Sequence, residues 1–196
     1  GIRPGEASLA HRGILFLDEF PAFQRQTLEA LRQPLEDGIV AVARAAGRAV
    51  FPARFQLVAS MNLCPCGARG DAALACVCSA QRLAAYEAKL SRALLDRFDL
   101  VVTLPRSRSA ELAAGPGEPS AAVAARVAAA RDRPAARRVP EADALLARAV
   151  DRLPLSGRGR ARVGRVARTI AALAEAERIE AEHVAEALSY RSRLGE

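Results

Sequence analysis

The chain has 196 residues, enough for one or two domains with a hydrophobic core of ordinary size. It has no run of about 18 or more apolar residues and no basic-then-apolar leader, so we expect a soluble cytoplasmic protein without a membrane partner. The formal net charge is +7: residues 1–105 hold 12 Lys+Arg against 10 Asp+Glu, and residues 106–196 hold 17 against 12. This bias permits contact with nucleic acid or another polyanion, although a genome rich in Arg and Ala codons would also produce it.

Residues 13–20 read Gly-Ile-Leu-Phe-Leu-Asp-Glu-Phe and predict a short strand, buried on both faces, that ends in two carboxylates. Ligands of open α/β sheets bind beyond the carboxyl ends of the strands. This layout is typical of a Walker B motif, in which Asp18 would hold the Mg²⁺ that bridges nucleotide phosphates and Glu19 would polarise the attacking water. The alternative is a buried strand that ends in a solvated acidic pair.

The sequence contains one lysine, Lys89, and it does not follow a glycine-rich turn. A Walker A motif needs such a turn of backbone N–H groups, with a lysine that reaches the β- and γ-phosphates. The nucleotide site that Asp18 would serve is therefore incomplete within these residues.

A helix is predicted over Gln24–Glu36, stopped by Gly38, and is followed by a β-hairpin whose tip carries Arg44 and Arg48. Residues 55–61 predict a second buried strand. Asn62 comes at its carboxyl end, where an amide by itself is usually a turn residue.

All four cysteines lie in one Gly- and Ala-rich loop, as two C-x-C pairs: Cys64, Cys66, Cys76 and Cys78. A cytosolic setting argues against disulfides, and two thiolate pairs nine residues apart suit a tetrahedral Zn²⁺ knuckle. Such a zinc would be structural, because four sulfur ligands leave no open position. The alternative is four reduced loop thiols.

A helix from Ala80 to about Ser91 is predicted next, and a strand over Leu100–Leu104 that Pro105 closes. Arg97 would lie just before this strand. By itself, it could form a surface ion pair with Asp96 or Asp99.

Residues 106–119 have the composition of a linker, and four helices are predicted beyond them, at about 120–132, 140–152, 157–174 and 180–193. Ser156 is suited to cap the third helix. Strands alternating with helices over 1–105, followed by an all-helical block over 120–196, predict an α/β domain with a helical lid.

The strings that carry a family resemblance extend through most of the chain. They are Arg3-Pro4-Gly5-Glu6, Ser8-Leu9-Ala10-His11, Gly13 to Glu19, Leu31 to Gly38, Phe55 to Ala59 with Met61-Asn62, Cys64-Pro65-Cys66-Gly67, Leu94 to Leu100, and Val166 to Ala171. Together they resemble the magnesium-chelatase-like AAA+ ATPases of the ComM/YifB type. Members of that family carry Walker A in an upstream half, and Leu63 stands where they often have proline.

The resemblance implies roles for the site residues. Asp18 and Glu19 would be Walker B and Asn62 the sensor 1 amide that aligns the water. Arg97 would be an arginine finger for a neighbouring subunit. Arg158 would be the sensor 2 arginine, although Arg160 and Arg162 lie close to it in sequence.

The resemblance also implies that Arg44 and Arg48 lie on a hairpin that points into the pore of a ring. The function expected is part of a hexameric, ATP-driven enzyme that promotes DNA branch migration during natural transformation, with ATP and Mg²⁺ as cofactors. The alternatives are a chelatase-type ATPase that drives metal insertion, or a truncated, non-hydrolysing module that binds DNA or a partner. Without a P-loop, residues 1–196 alone are predicted to be inactive.

Overall fold

The computed structural model describes residues 2–45, 47–71, 73–107, 109–153 and 155–191. The chain divides into two compact units, Gly1–Arg97 and Phe98–Glu196. The secondary structure is mixed α/β, with three two-stranded sheets among the described residues. Within the described residues, no helix is both long and apolar enough to cross a bilayer.

The first unit contains four strands, five helices and a 3₁₀ turn among its described residues. In chain order these are α1 (Glu6–Leu9), β1 (Ile14–Leu17), the 3₁₀ turn (Phe20–Ala22), α2 (Arg25–Ala30), α3 (Arg32–Asp37), β2 (Ile39–Arg44), β3 (Gly47–Pro52), β4 (Gln56–Ala59), α4 (Ala80–Glu87) and α5 (Arg92–Leu95).

The two strands predicted to be buried, β1 and β4, form a parallel pair whose register runs from Ile14 opposite Gln56 to Leu17 opposite Ala59. Ile14 and Phe16 are 64% and 60% exposed, so the prediction that β1 is buried on both faces is wrong. The physical reason is that β4 is the one strand paired with β1 in the described chain, and the face that carries these two side chains is left largely open.

The helix predicted over 24–36 is two helices, α2 and α3, with Leu31 between them. Pro34 explains the break, because in one continuous helix its ring would clash with the carbonyl group of Ala30. In α3 it lies in the first turn, where an N–H group has no helical acceptor to lose. Gly38 ends α3 with φ of 69°, a left-handed conformation that suits glycine.

Strands β2 and β3 pair in antiparallel register, from Ile39 opposite Pro52 to Arg44 opposite Gly47. Arg44 and Arg48 therefore lie at the same end of the hairpin, and both are exposed.

The second unit is mainly helical. Its described elements are α6 (Ser109–Ala113), α7 (Ser120–Asp132), β5 (Arg137–Arg138), α8 (Pro140–Arg152), α9 (Gly157–Leu173), β6 (Arg178–Ile179) and α10 (Ala181–Ser189). The helices predicted at 120–132 and 140–152 are confirmed; α9 ends one residue and α10 four residues earlier than predicted. Ser156 caps α9 as expected, because its Oγ accepts a hydrogen bond from Gly159 N at 3.1 Å.

The core of this unit lies between α8, α9 and α10, where Leu146, Val163, Ala167, Ile179 and Val184 are buried. The sequence patterns missed the two-residue parallel pairing of β5 with β6. The predicted division into 1–105, 106–119 and 120–196 stays a prediction.

The strand predicted over Leu100–Leu104 is absent, although the structure describes all five residues. Val101 N donates to Tyr190 O at 2.9 Å, which is a bond to the end of α10 and not to a strand. Leu104 is 82% exposed. The apolar run has strand propensity, but a strand needs a partner ladder, and none is provided here.

Candidate functional site

The acidic pair lies where β1 and β4 end together. Ser60 N donates to Leu17 O at 3.0 Å, and Phe20 N donates to Ser60 O at 2.9 Å, so the parallel pairing continues beyond the strands. Asp18 and Ser60 are thereby brought side by side. The Ser60 hydroxyl donates to Asp18 Oδ1, and Glu19 N donates to the same oxygen at 3.0 Å.

Both acids are exposed, and Glu19 has a left-handed backbone with φ of 49° and ψ of 48°. This conformation costs a residue with a Cβ atom about 1–2 kcal/mol. Such strain persists where surrounding contacts impose it, and it is concentrated at functional sites. Exposed carboxylate oxygens fixed at a sheet edge are suitable ligands for Mg²⁺, which binds through one or two carboxylates and keeps several waters.

Asn62 follows β4 at this same edge and is exposed. Its backbone oxygen accepts a hydrogen bond from the Tyr86 hydroxyl of α4 at 2.9 Å. Partial burial, together with the negative charges of Cys64 and Glu19, raises the pKa of Tyr86. Glu19, Tyr86 and the cysteine loop therefore lie close enough to interact electrostatically.

The Arg97 side chain is only 8% exposed. Its Nη2 atom donates to the Glu36 carboxylate and its Nη1 atom donates to the Ala93 carbonyl oxygen. An ion pair is thus present, with Glu36 as the acid, which sequence reasoning did not identify. Lys89 also has an internal role, because its Nζ donates to Pro21 O at 2.9 Å.

The remaining predicted arginine, Arg158, belongs to the second unit, in the first turn of α9, and is exposed. One turn further along, Arg162 forms an ion pair with Asp99 at 3.2 Å. Burial lowers the pKa of Arg162, which the charge of Asp99 partly offsets. Arg158 and Arg162 therefore differ in environment, and Arg160, between them in sequence, is exposed like Arg158.

The four cysteines form one compact cluster, with all four Sγ atoms within 4.8 Å of one another. Three of the Sγ···Sγ separations are 3.3 Å for Cys64–Cys66, 3.7 Å for Cys66–Cys76 and 3.6 Å for Cys64–Cys76. A tetrahedral zinc site with Zn–S bonds of about 2.3 Å has an S···S edge of about 3.8 Å. The cluster therefore has the donor set and the dimensions to hold a metal ion.

Backbone N–H groups help to stabilise thiolates in this cluster. Hydrogen bonds from the Ala68 and Val77 backbone lower the pKa of Cys66 to about 6. Arg69 N also donates to Cys64 Sγ at 3.3 Å. In contrast, burial and the neighbouring Cys66 raise the pKa of Cys78 to about 11. A bound cation would favour the deprotonated form of every member.

Sequence reasoning missed Ser60, Tyr86 and Glu36, each of which contacts a predicted site residue. Ser60 was within reach of prediction, since aligning the ends of the two strands in parallel puts it beside Asp18. Tyr86 and Glu36 lie 24 and 61 residues from their partners, and no local pattern marks them.

An α/β unit with a carboxylate pair at the sheet edge, followed by a mainly helical unit, is compatible with part of an AAA+-like fold. Two family models match the chain: "Magnesium chelatase, subunit ChlI" over residues 1–112 and "Magnesium chelatase, subunit ChlI C-terminal" over residues 138–191. The chain belongs to this magnesium-chelatase-like family, in its ComM/YifB branch.

Similar proteins come from several bacteria. The chain is 40% identical over 210 residues to the uncharacterised protein YifB of Escherichia coli, and 42% identical over 211 residues to the uncharacterised protein Rv2897c of Mycobacterium tuberculosis. It is also 40% identical over 210 residues to the competence protein ComM of Haemophilus influenzae. These alignments cover 96%, 96% and 97% of this chain but 41%, 42% and 41% of the relatives. The chain thus spans about two fifths of their length.

Proposed function

We propose that this chain is part of a hexameric, ATP-driven ring enzyme that remodels DNA by branch migration. The observation that carries the proposal is the shared edge of β1 and β4, where Asp18, Glu19 and Asn62 follow the ends of two paired strands. Family membership supports the ATPase part of the proposal. The DNA part is supported by the net charge of +7 and by the two exposed arginines of the hairpin tip.

Each residue at this edge has a distinct task in the proposed reaction. Asp18, oriented by the Ser60 hydroxyl, would bind the Mg²⁺ of the nucleotide. Glu19 would accept a hydrogen bond from the attacking water, and the Asn62 amide would align that water with the γ-phosphate. ATP would supply the phosphoanhydride bond that is cleaved.

Arginines would complete the site. Arg97 would act on nucleotide bound to a neighbouring subunit and Arg158 on nucleotide bound to its own, where a guanidinium stabilises charge on the transferred phosphoryl group. In the described structure, Arg97 is held by Glu36 of its own chain. To act as an arginine finger, Arg97 would therefore have to leave Glu36 or to divide the N–H groups of its guanidinium between Glu36 and the phosphate.

The phosphate cradle must come from outside these residues. The 196-residue sequence contains no GxxxxGK[ST] string, and its one lysine is bonded to the Pro21 carbonyl oxygen. We therefore propose that ATP turnover belongs to a longer protein and that residues 1–196 alone do not catalyse it.

We include one structural Zn²⁺ at the four cysteines in this proposal. The sulfur separations of 3.3 to 3.7 Å support it. Four thiolates would saturate the ion, so it would contribute to folding of the loop and not to chemistry.

The proposal is tested with the complete protein and a Holliday-junction substrate. Glu19→Gln should abolish ATP hydrolysis and branch migration while DNA binding persists, because the amide keeps the side-chain volume but cannot act as a base. Glu141→Gln, an exposed acid at the start of α8, is the matched control and should leave all three activities unchanged. Near-normal ATPase activity of Glu19→Gln would contradict the assigned role.

The same experiment separates the two other functions. ATPase activity that DNA and branched substrates do not stimulate would favour a chelatase-type role, to which the family description points. DNA binding by a complete protein that hydrolyses no ATP would favour the non-hydrolysing module, to which the missing P-loop points.

The name "competence protein" of the Haemophilus relative supports a role in natural transformation.

A further inference from the structure

Resting on the proposed function, we infer that the zinc knuckle is a positioning device for Asn62. Metal binding by Cys64, Cys66, Cys76 and Cys78 would fix α4, and Tyr86 of α4 would fix the Asn62 backbone. The cysteine cluster would then set the position of the amide at the nucleotide edge, although the metal itself would not touch nucleotide.

The first step is that the loop has little else to hold it. The cysteine loop comprises residues 63–79, between Asn62 and α4. Among its described residues, which omit Ala72, only Cys64 and Ala68 are buried. Leu63, Leu74 and Val77 are exposed, with Val77 at 82%. A segment that buries so little apolar surface cannot offset its conformational entropy, and a metal cross-link is the usual substitute for a core.

The second step is that the loop and α4 form a closed circuit through Asn62. Cys64 follows Asn62 by two residues along the chain. At the other end, Cys78 precedes Ser79, whose Oγ caps α4 by accepting a hydrogen bond from Arg82 N at 3.3 Å. Near the end of α4, the Tyr86 hydroxyl returns to the Asn62 oxygen at 2.9 Å. Both ends of the cross-linked loop are therefore tied to the same residue.

A second link joins α4 to the cysteine loop. Arg69 N donates to Cys64 Sγ at 3.3 Å, and the Arg69 side chain forms an ion pair with Glu87 of α4 at 2.7 Å. Because both partners of the ion pair are well exposed, this contact contributes little to stability. The ion pair orients α4 against the cysteine loop, while the thiolate–metal bonds would supply most of the free energy that holds the loop in place.

Loss of the metal should displace Asn62 without unfolding the rest of the first unit. Loss of the metal would release the cysteine loop, and α4 and Asn62 would become mobile with it. The β1–β4 pairing and the Asp18–Ser60 contact do not pass through the cluster. The acidic pair should therefore remain ordered when the amide does not.

The first experiment uses residues 1–196, so that its outcome is independent of ATP hydrolysis. We expect one zinc per chain from reduced protein, and Co²⁺ replacement should give the sulfur-to-metal charge-transfer bands of a tetrahedral thiolate site. On chelation, amide hydrogen exchange should rise at least tenfold in residues 61–90, while the buried core of α9 serves as the internal control. Re-added Zn²⁺, but not Mg²⁺, should reverse the change.

Substitutions separate metal binding from positioning. Cys76→Ser should lose the metal and reproduce the exchange of the chelated protein. Tyr86→Phe should retain one zinc but raise exchange near Asn62 and in α4 alone. The other tyrosine of the chain, Tyr190, bonds Glu186 in the second unit, so Tyr190→Phe is the matched control and should change neither quantity.

In the complete protein, Tyr86→Phe should lower kcat about two- to tenfold with little change in KM for ATP, since it loses one hydrogen bond that orients a residue active in the transition state. Well under one zinc per chain would overturn the site. Bound zinc whose removal leaves exchange at 61–64 unchanged would overturn the positioning role. Either result is compatible with an ATPase that depends on Glu19, so failure here is distinguishable from failure of the proposed ATP-driven DNA remodelling.

Discussion

Arg97 offers the sharpest test, because the structure gives it a structural partner while family resemblance gives it a catalytic role. Its side chain is 8% exposed and paired with Glu36, which is 37% exposed. Removing one partner of such a half-buried pair costs between about 1 kcal/mol, the value for an exposed pair, and about 4 kcal/mol, that for a buried one. A finger instead contributes about 10³ to 10⁵ in rate, which corresponds to about 4–7 kcal/mol of barrier.

Comparison of the two partners separates these effects. In the complete protein, Arg97→Ala and Glu36→Gln should both lower the free energy of unfolding, because each breaks the same ion pair. Only Arg97→Ala removes the guanidinium. If Arg97 is a finger, its alanine variant should lose at least about 10³ in kcat, whereas Glu36→Gln should stay within about tenfold of the wild type. Similar ATPase activities in the two variants would show that Arg97 acts through stability alone.

A mixing experiment then tests action between subunits. Complete Arg97→Ala subunits mixed with complete Glu19→Gln subunits should rebuild sites that have both an intact base and an intact finger. Activity should therefore return in the mixture, although neither variant has it alone. Assays run well below the melting temperature of both variants, with subunit exchange verified by fluorescence transfer, keep unfolding out of the result. No recovery despite exchange would refute a finger that acts in trans.

The remaining predictions concern the nucleotide edge and the hairpin. Purified residues 1–196 should show no Glu19-dependent ATP hydrolysis in a phosphate-release assay, and measurable turnover would force a search for another phosphate-binding group. Ser60→Ala should weaken Mg²⁺-dependent ATP turnover about three- to tenfold through the lost hydrogen bond to Asp18, and an unchanged Mg²⁺ titration would argue against this orientation. Replacing Arg44 and Arg48 by alanine should flatten the salt dependence of DNA binding by about two units of slope, whereas the same change at Arg148 and Arg152 should not.

The sequence predicted those features that local chemistry decides. Gly38 and Ser156 marked a helix end and a helix start, and both perform those roles in the structure. The strand over 100–104 failed for the opposite reason: its apolar residues suit a strand, but pairing depends on a partner that the sequence pattern cannot supply. The split at Leu31 lies between these cases, since Pro34 explains the break but its position in sequence does not fix the residue at which the first helix ends.

In the candidate site, the residues at the strand ends were predictable from the sequence, and the side chains that support them were not. Asp18 and Glu19 were proposed because they follow an apolar run, and Asn62 because the family resemblance implied a role for it; their shared edge follows from the parallel pairing of β1 with β4. The supporting contacts from Tyr86 and Glu36 connect residues far apart in sequence. Such contacts arise from packing of α4 and α3, and no spacing rule encodes them.

The pairing of β1 with β4 also connects the two proposed tasks of the site, Mg²⁺ binding by Asp18 and alignment of the attacking water by Asn62. Ser60 connects them: its N–H and C=O groups bond Leu17 and Phe20 on either side of the acidic pair, and its hydroxyl bonds Asp18 itself. Asn62 is two residues further along the same chain segment, so the serine that bonds Asp18 and the proposed water-aligning amide share one short piece of backbone. Because that piece is fixed to β1 on one side and to Tyr86 on the other, a displacement of α4 would change the distance from Asn62 to Asp18 without unpairing the strands. A substitution in the cysteine loop should therefore lower kcat for ATP hydrolysis before it changes the affinity for nucleotide.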